Sequence, residues 1–221
     1  MIQDIGRLWF APGALFRSIR ERPRSKGVLI VLLVVVALAT LLVLDIVMEE
    51  ASQRGLDAIQ ERGGDGAAGM KAMEHPAMKA LVVVAAPVSL LLFLLVFSGA
   101  SYLFLQLTGG TEEEKGFAAL FRAAAWAKAV DIPRMVLWVP LVLVQRSPEV
   151  YFGPAALLPA ESRGALFAAL SALDLFSIWF LVLFVLGARI CLKLTTSRAV
   201  LVVVAPWFLW NLLKVVKELA L

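Results

Sequence analysis

Residues 80 to 111 read ALVVVAAPVSLLLFLLVFSGASYLFLQLTGGT, 32 consecutive positions without Asp, Glu, Lys, Arg or His. About 20 apolar residues in helical form cover the hydrocarbon of a bilayer, so this stretch can cross one with tilt. It is continuously apolar instead of alternating, which excludes a barrel strand, and backbone groups in hydrocarbon must pair within their own segment. The stretch therefore crosses as a helix. The composition agrees: of 221 residues 61% are apolar and 17% charged, against about 45–50% and ~25% in soluble domains. The mean hydropathy is +0.88. A water-soluble globule is excluded, and the fold class is an all-α integral membrane protein.

On the N-terminal side of that run, the first 26 residues hold Arg7, Arg17, Arg20, Arg22, Arg24 and Lys26 against Asp4 and Glu21, followed by an uncharged run from Gly27 to Leu44. That is a signal-anchor layout. Ala37-Leu38-Ala39 imitates a peptidase site, but the apolar stretch continues past it and the basic leader is long for a signal peptide. Trp9, Phe10, Leu15, Phe16 and Ile19 recur among the arginines at helical spacing and Pro12 suits a first turn, so residues 1–26 are expected to form an interfacial amphipathic helix. Spans are expected at about 27–47, 80–107, 130–146, 173–192 and 199–216. Residues 48–79 hold six acids and four bases around Gly63-Gly64-Asp65-Gly66, and are expected to form an outer helical hairpin.

Pro87 marks a kink in the second span, and Ser98-Gly99-Ala100-Ser101 a close-packing patch. Thr111-Glu112-Glu113-Glu114 has capping-box spacing, so a helix starts near 112 with an interfacial first half, and Pro133 interrupts it. The third apolar stretch, Met135 to Val144, spans only if its helix starts near Val130 and Arg134 snorkels. Ser171-Ala172-Leu173-Asp174 again has capping-box spacing, ahead of the fourth span. Five crossings place thirteen Lys and Arg on the side of the leader and eight on the other, so the N-terminus is expected in the cytoplasm and the C-terminus outside. A four-span version, with the third stretch only dipping into the membrane, puts both termini inside. The net charge of +4 and pI near 9.5 are read as orientation and not as nucleic-acid binding.

Trp9-Phe10-Ala11-Pro12 with Phe16 and Ile19, Gly109-Gly110 ahead of an amphipathic helix reaching Pro133, and above all Leu173-Asp174-Leu175-Phe176-Ser177-Ile178-Trp179 with Gly187 resemble the Yip family of Ypt/Rab-interacting membrane proteins, in its bacterial form. The resemblance covers nearly the whole chain and rests on order and spacing, with Asp174, Phe176 and Trp179 its strongest piece. It implies a five-span, non-enzymatic membrane protein. Eukaryotic members act in vesicle trafficking and contact Rab GTPases through a cytosolic N-terminal region, which these 26 residues do not match. Some bacterial members look like accessory membrane proteins of MacB-like efflux ABC transporters. The resemblance thus implies a bacterial inner-membrane location and a membrane-protein partner, either such a transporter or a second copy of the chain.

Asp174 is the most informative polar residue. At the bilayer centre it would cost about 2.5–3.5 kcal/mol and mark a proton or ligand path, the basis of an alternative reading as a small transporter or lipid-handling protein. In the first turn of the fourth span it is stabilised by the helix dipole and by a Ser171 cap. On the five-span topology Asp45, Asp174, Asn211 and Lys214 lie at similar depth and are expected to form an outer polar cluster. Glu49-Glu50-Ala51-Ser52-Gln53-Arg54 matches the E-E-x-x-x-R motif of membrane metalloproteases, but His75 is the lone histidine and cannot complete a metal set. Neither a metal nor a cofactor is expected. The single cysteine, Cys191, allows no intrachain disulfide and reads as a small buried residue.

Overall fold

The computed structural model describes residues 2–61, 75–110, 116–159 and 164–220. Among them the secondary structure is helical, without strands. In chain order the helices are α1 (Ile2–Phe10), α2 (Pro12–Glu21), α3 (Lys26–Leu42), α4 (Leu44–Glu61), α5 (Pro76–Leu107), α6 (Gly116–Ala127), α7 (Asp131–Gln145), α8 (Ala165–Ser171), α9 (Leu175–Cys191) and α10 (Thr196–Ala220). A 3-10 turn at Lys128–Val130 joins α6 to α7, and another lies at Pro154–Leu157. The Gly63-Gly64-Asp65-Gly66 centre of the expected hairpin and the Thr111 to Glu114 capping box lie outside the described residues.

α5 and α10 are each long and apolar enough to cross a membrane, and up to four crossings result if two bent pairs each count as one. The first pair is α3 with α4, which turn by 70° about Val43; the second is α8 with α9, turned by 53°. The helix expected to run through residue 47 therefore stops at Leu42. α7 has 15 residues, about 22 Å at the helical rise, short of the roughly 30 Å of hydrocarbon. Pro133 sits in its first turn, where no intrahelical N–H donor is needed, so the break falls earlier, in the 3-10 turn.

The chain divides into two compact units. One comprises Leu32–Leu91 and Ile132–Val150. Its core is Val43, Ile46 and Val142, with Val47, Trp138, Val139 and Val150 packed on it. At its rim Arg54 pairs with Glu50 and Glu149, and Lys79 with Asp45 at 2.9 Å.

The other unit comprises Met1–Val31, Leu92–Asp131 and Tyr151–Leu221. α9 is its axis and packs on α6, α10 and α2, while α10 also packs on α8. α6 is buried over Ala119, Leu120 and Ala123 to Ala127. The sequence reading put the first half of this helix at the interface; its alanines carry little hydrophobic signal, yet their small side chains let α9 and α2 come close. The leader is also not laid out as expected. Leu15, Phe16 and Ile19, offered to the membrane surface by their spacing, are 0–1% exposed against protein, whereas Phe10 is 92% exposed. Pro12 opens α2 at its first position, as its fixed φ favours.

α5 ends in a Schellman motif. Gly109 (φ 100°) and Gly110 (φ 67°) take left-handed conformations, Gly110 N donates to Leu105 O (2.9 Å) and Gly109 N to Gln106 O (3.2 Å). The Gly110 carbonyl then accepts from the Arg198 guanidinium at 2.7 Å, which ties the end of α5 to the first turn of α10. Within the expected small-residue patch, Ser98 and Ser101 are fully buried, but a Cβ on Gly99 would meet nothing within 4 Å.

Candidate functional site

Asp174, the residue before α9, has an extended backbone (φ −70°, ψ 135°), and its Oδ1 accepts from Ser177 N at 3.0 Å and from Ser177 Oγ at 3.3 Å. It is the N-cap itself. The expected Ser171 cap is corrected: Ser171 Oγ donates to Ala168 O, closing the last turn of α8, because the 53° bend separates the two helices before the cap position. The segment before α9 covers this start. Leu175 N donates to Phe152 O at 3.1 Å, and the Phe152 and Phe176 rings meet edge-on at 5.2 Å. Asp174 and Phe176 are each 8% exposed.

A cap of this kind contributes about 1 kcal/mol (range ~0.5–2). Asp174→Ala is expected to lower thermal stability by that amount and Asp174→Ser to restore most of it, measured by melting of the purified protein. A loss beyond ~3 kcal/mol would mean the carboxylate does more than cap.

One turn further on, Trp179 stacks on Trp9 of α1, with centroids 5.5 Å apart and planes at 23°. Phe180 and Phe184 join Phe93 and Phe97 of α5 in a cluster with neighbouring centroids 5.4–5.9 Å apart. At Gly187 the helices approach closely: a Cβ there would lie 2.8 Å from Phe16 Cε1 and 2.9 Å from Ala123 Cβ. Glycine is needed at this point to let α2, α6 and α9 meet. Cys191 is buried below it, its Sγ 3.8 Å from Phe16 O.

The sequence reading missed the pair that closes the aromatic cluster. Lys128 Nζ lies 2.9 Å from Asp131 Oδ2, with side chains 16% and 8% exposed, and sits 4.9 Å from the Phe93 centroid and 5.3 Å from that of Phe180. Lys and Asp three residues apart read as an ordinary helix-surface pair, and only contacts with distant Phe93 and Phe180 distinguish this one. The leader is held by a comparable device. Asp4, 7% exposed, meets Arg24 at 3.1 Å and Arg7 at 3.8 Å, while the Arg24 carbonyl accepts from Trp126 Nε1 at 2.8 Å.

Each of the four residues expected to form an outer polar cluster has a partner within its own unit. Asp45 pairs with Lys79, Asp174 caps α9, Asn211 Nδ2 donates to Trp207 O at 2.8 Å, and Lys214 Nζ lies 5.6 Å from the Trp210 centroid. Of the metalloprotease-like motif, Glu50 and Arg54 form an ion pair extended by Glu149, a structural arrangement with no nucleophile or metal ligand set in it.

Asp174 serves as a cap and Lys128, Asp131, Asp4 and Arg24 form ion pairs, while Trp9, Trp179, Phe93, Phe97, Phe180 and Phe184 pack helix to helix. A family model described as the Yip1 domain matches residues 6–216. Comparison with curated proteins and with solved structures finds no match.

Proposed function

The chain belongs to the Yip1 domain family, and from that premise we propose that it is a non-catalytic integral membrane protein that binds and organises partner proteins within the bilayer. The observation that carries this reading is the bareness of its longest apolar helices. Of the most apolar stretch of α5 only 17% is buried within the protein, and of that in α10 only 22%. Lipid satisfies such faces, but so do helices of another protein, and packing among membrane helices depends on van der Waals fit and not on a hydrophobic drive. Around α9 the aromatic cluster and the close approach at Gly187 tie α2, α5 and α6 together, which suits a rigid scaffold better than a moving one.

On this reading residues 1–26 form the leader, with the N-terminus cytoplasmic, and residues 27–221 the membrane domain; five crossings require the short α7 to span together with the turn before it, beyond the four that the apolar helices and bent pairs supply. The leading partner of a bacterial member, in the inner membrane, is an efflux-type ABC transporter of the MacB-like kind. The family motif residues Asp174, Phe176, Trp179, Gly187 and Pro133 then shape the scaffold and touch no substrate. Mild-detergent extraction at native expression is expected to bring down an ATPase and its permease in stoichiometric amount. Recovery of the chain alone or as a homo-oligomer would remove the transporter from the proposal. Reporters fused before Met1 and after Leu221 are expected on opposite faces, and finding both on one face removes the odd number of crossings.

A further inference from the structure

Where the leader turns into α3, the chain forms a cleft of about 550 Å³ against α6, with Arg24, Lys26, Gly27, Leu95, Phe121 and Arg122 in its walls. That volume falls among small-ligand sites of about 300–1,000 Å³. Three of its lining residues, Arg24, Lys26 and Arg122, are cations, and no acidic residue lines it. Arg24 is partly neutralised by Asp4. Among the described residues neither Lys26 nor Arg122 makes an ion pair. The first turn of α3 adds to the positive field: Leu29 N is the donor to Ser25 O, so the N–H groups of Lys26, Gly27 and Val28 precede the helix's own hydrogen bonds.

We infer that this cleft binds the phosphate of an anionic phospholipid, held between Lys26 and Arg122 with its acyl chains along the apolar wall. Two observations favour a lipid over a soluble phosphate. Leu95, Phe117 and Phe121 also line the cleft, apolar surface that a free anion has no use for. Lys26 also stands directly before the uncharged run that starts at Gly27, which sets the cations at the depth where headgroups meet hydrocarbon. Basic pockets between membrane helices select anionic headgroups in this way, each cation near the surface strengthening the attraction. The site depends on insertion in a membrane and not on the partner-binding role proposed above.

The test uses the purified full chain in nanodiscs of phosphatidylcholine with and without phosphatidylglycerol, with native mass spectrometry of the released protein and its melting temperature as readouts. The wild type is expected to retain phosphatidylglycerol in preference to phosphatidylcholine and to melt higher in its presence. The K26Q/R122Q double variant is expected to lose about thirtyfold in that preference. Ala118→Trp keeps every charge but fills the cleft, and is expected to abolish retention, while Arg122→Lys is expected to keep most of it. Arg24 is left unchanged because its removal would strip buried Asp4 of a partner. A double variant that melts normally in phosphatidylcholine yet keeps the preference overturns the inference. If that variant does not fold, retention by a folded Ala118→Trp overturns it equally. Displacement of the lipid by inorganic phosphate at comparable concentration would assign the cleft to a soluble anion and also overturn it.

Discussion

Lys128→Met is expected to destabilise the unit around α9 by about 3–5 kcal/mol, the cost of leaving one member of a buried ion pair without the other. The magnitude follows from burial. With side chains 16% and 8% exposed and nitrogen and oxygen 2.9 Å apart, neither charge can turn to water when its partner is removed. Asp131→Leu should cost less at the same site, because Phe93 and Phe180 still present their ring faces to the Lys128 ammonium, an attraction of about 2 kcal/mol when desolvated. The K128M/D131L double variant removes both desolvation penalties and is expected to be close to wild type or above it. The measurement is unfolding in mixed micelles of the two singles and the double. A coupling free energy of several kcal/mol is expected, insensitive to added salt because screening by mobile ions does not reach a buried pair. Singles within about 0.5 kcal/mol of wild type would show that water reaches the pair and that the cluster is open.

Sequence alone separated what depends on local chain chemistry from what depends on distant neighbours. α5 and α10 were legible as helices long and apolar enough to cross a membrane, because a long uncharged run has one solvent that suits it. The acid at the start of α9 was also legible, although its cap was assigned one turn early, to Ser171. The 70° bend at Val43 was not, since apolar residues continue through it and only Asp45 marks the change. Burial of α6 was hidden by alanine, whose hydropathy is modest and whose value lies in the distance it permits. The expected grouping of Asp45, Asp174, Asn211 and Lys214 rested on depth alone. Depth does not fix which face of a helix a side chain occupies, so the grouping is not readable from sequence; Asn211 and Lys214 each have a contact within one turn of their own helix. Lys128 with Asp131 was missed for the converse reason: its spacing looked local, and its burial comes from rings contributed by α5 and α9.

Glycine at 187 is a second sensitive position, where the sign of the effect is expected to be opposite to what helix propensity gives. In a helix interior alanine is favoured over glycine by about 1 kcal/mol. At Gly99, where an added Cβ meets nothing, Gly99→Ala should show that gain. At Gly187 the same methyl would stand 2.9 Å from Ala123 Cβ, an atom with no rotamer to move, and 2.8 Å from a ring carbon of fully buried Phe16. α9 can accept it only by withdrawing from α6 and α2 together, so overpacking of about 1–3 kcal/mol exceeds the propensity gain. Gly187→Leu enlarges the conflict and is expected to release the leader, because Leu15, Phe16 and Ile19 are held where α2 lies on α9. Trypsin should then cut after Arg17 or Arg20 in the folded protein, sites that a docked α2 withholds, while α5 and α10 are expected to stay inserted because lipid alone satisfies their apolar faces. Ala123→Gly placed in the Gly187→Ala background vacates the facing position and should recover part of the loss. No recovery there, or equal stability of Gly99→Ala and Gly187→Ala, would mean that the three helices do not meet at this point, and the scaffold would then have to be held by the aromatic cluster without them.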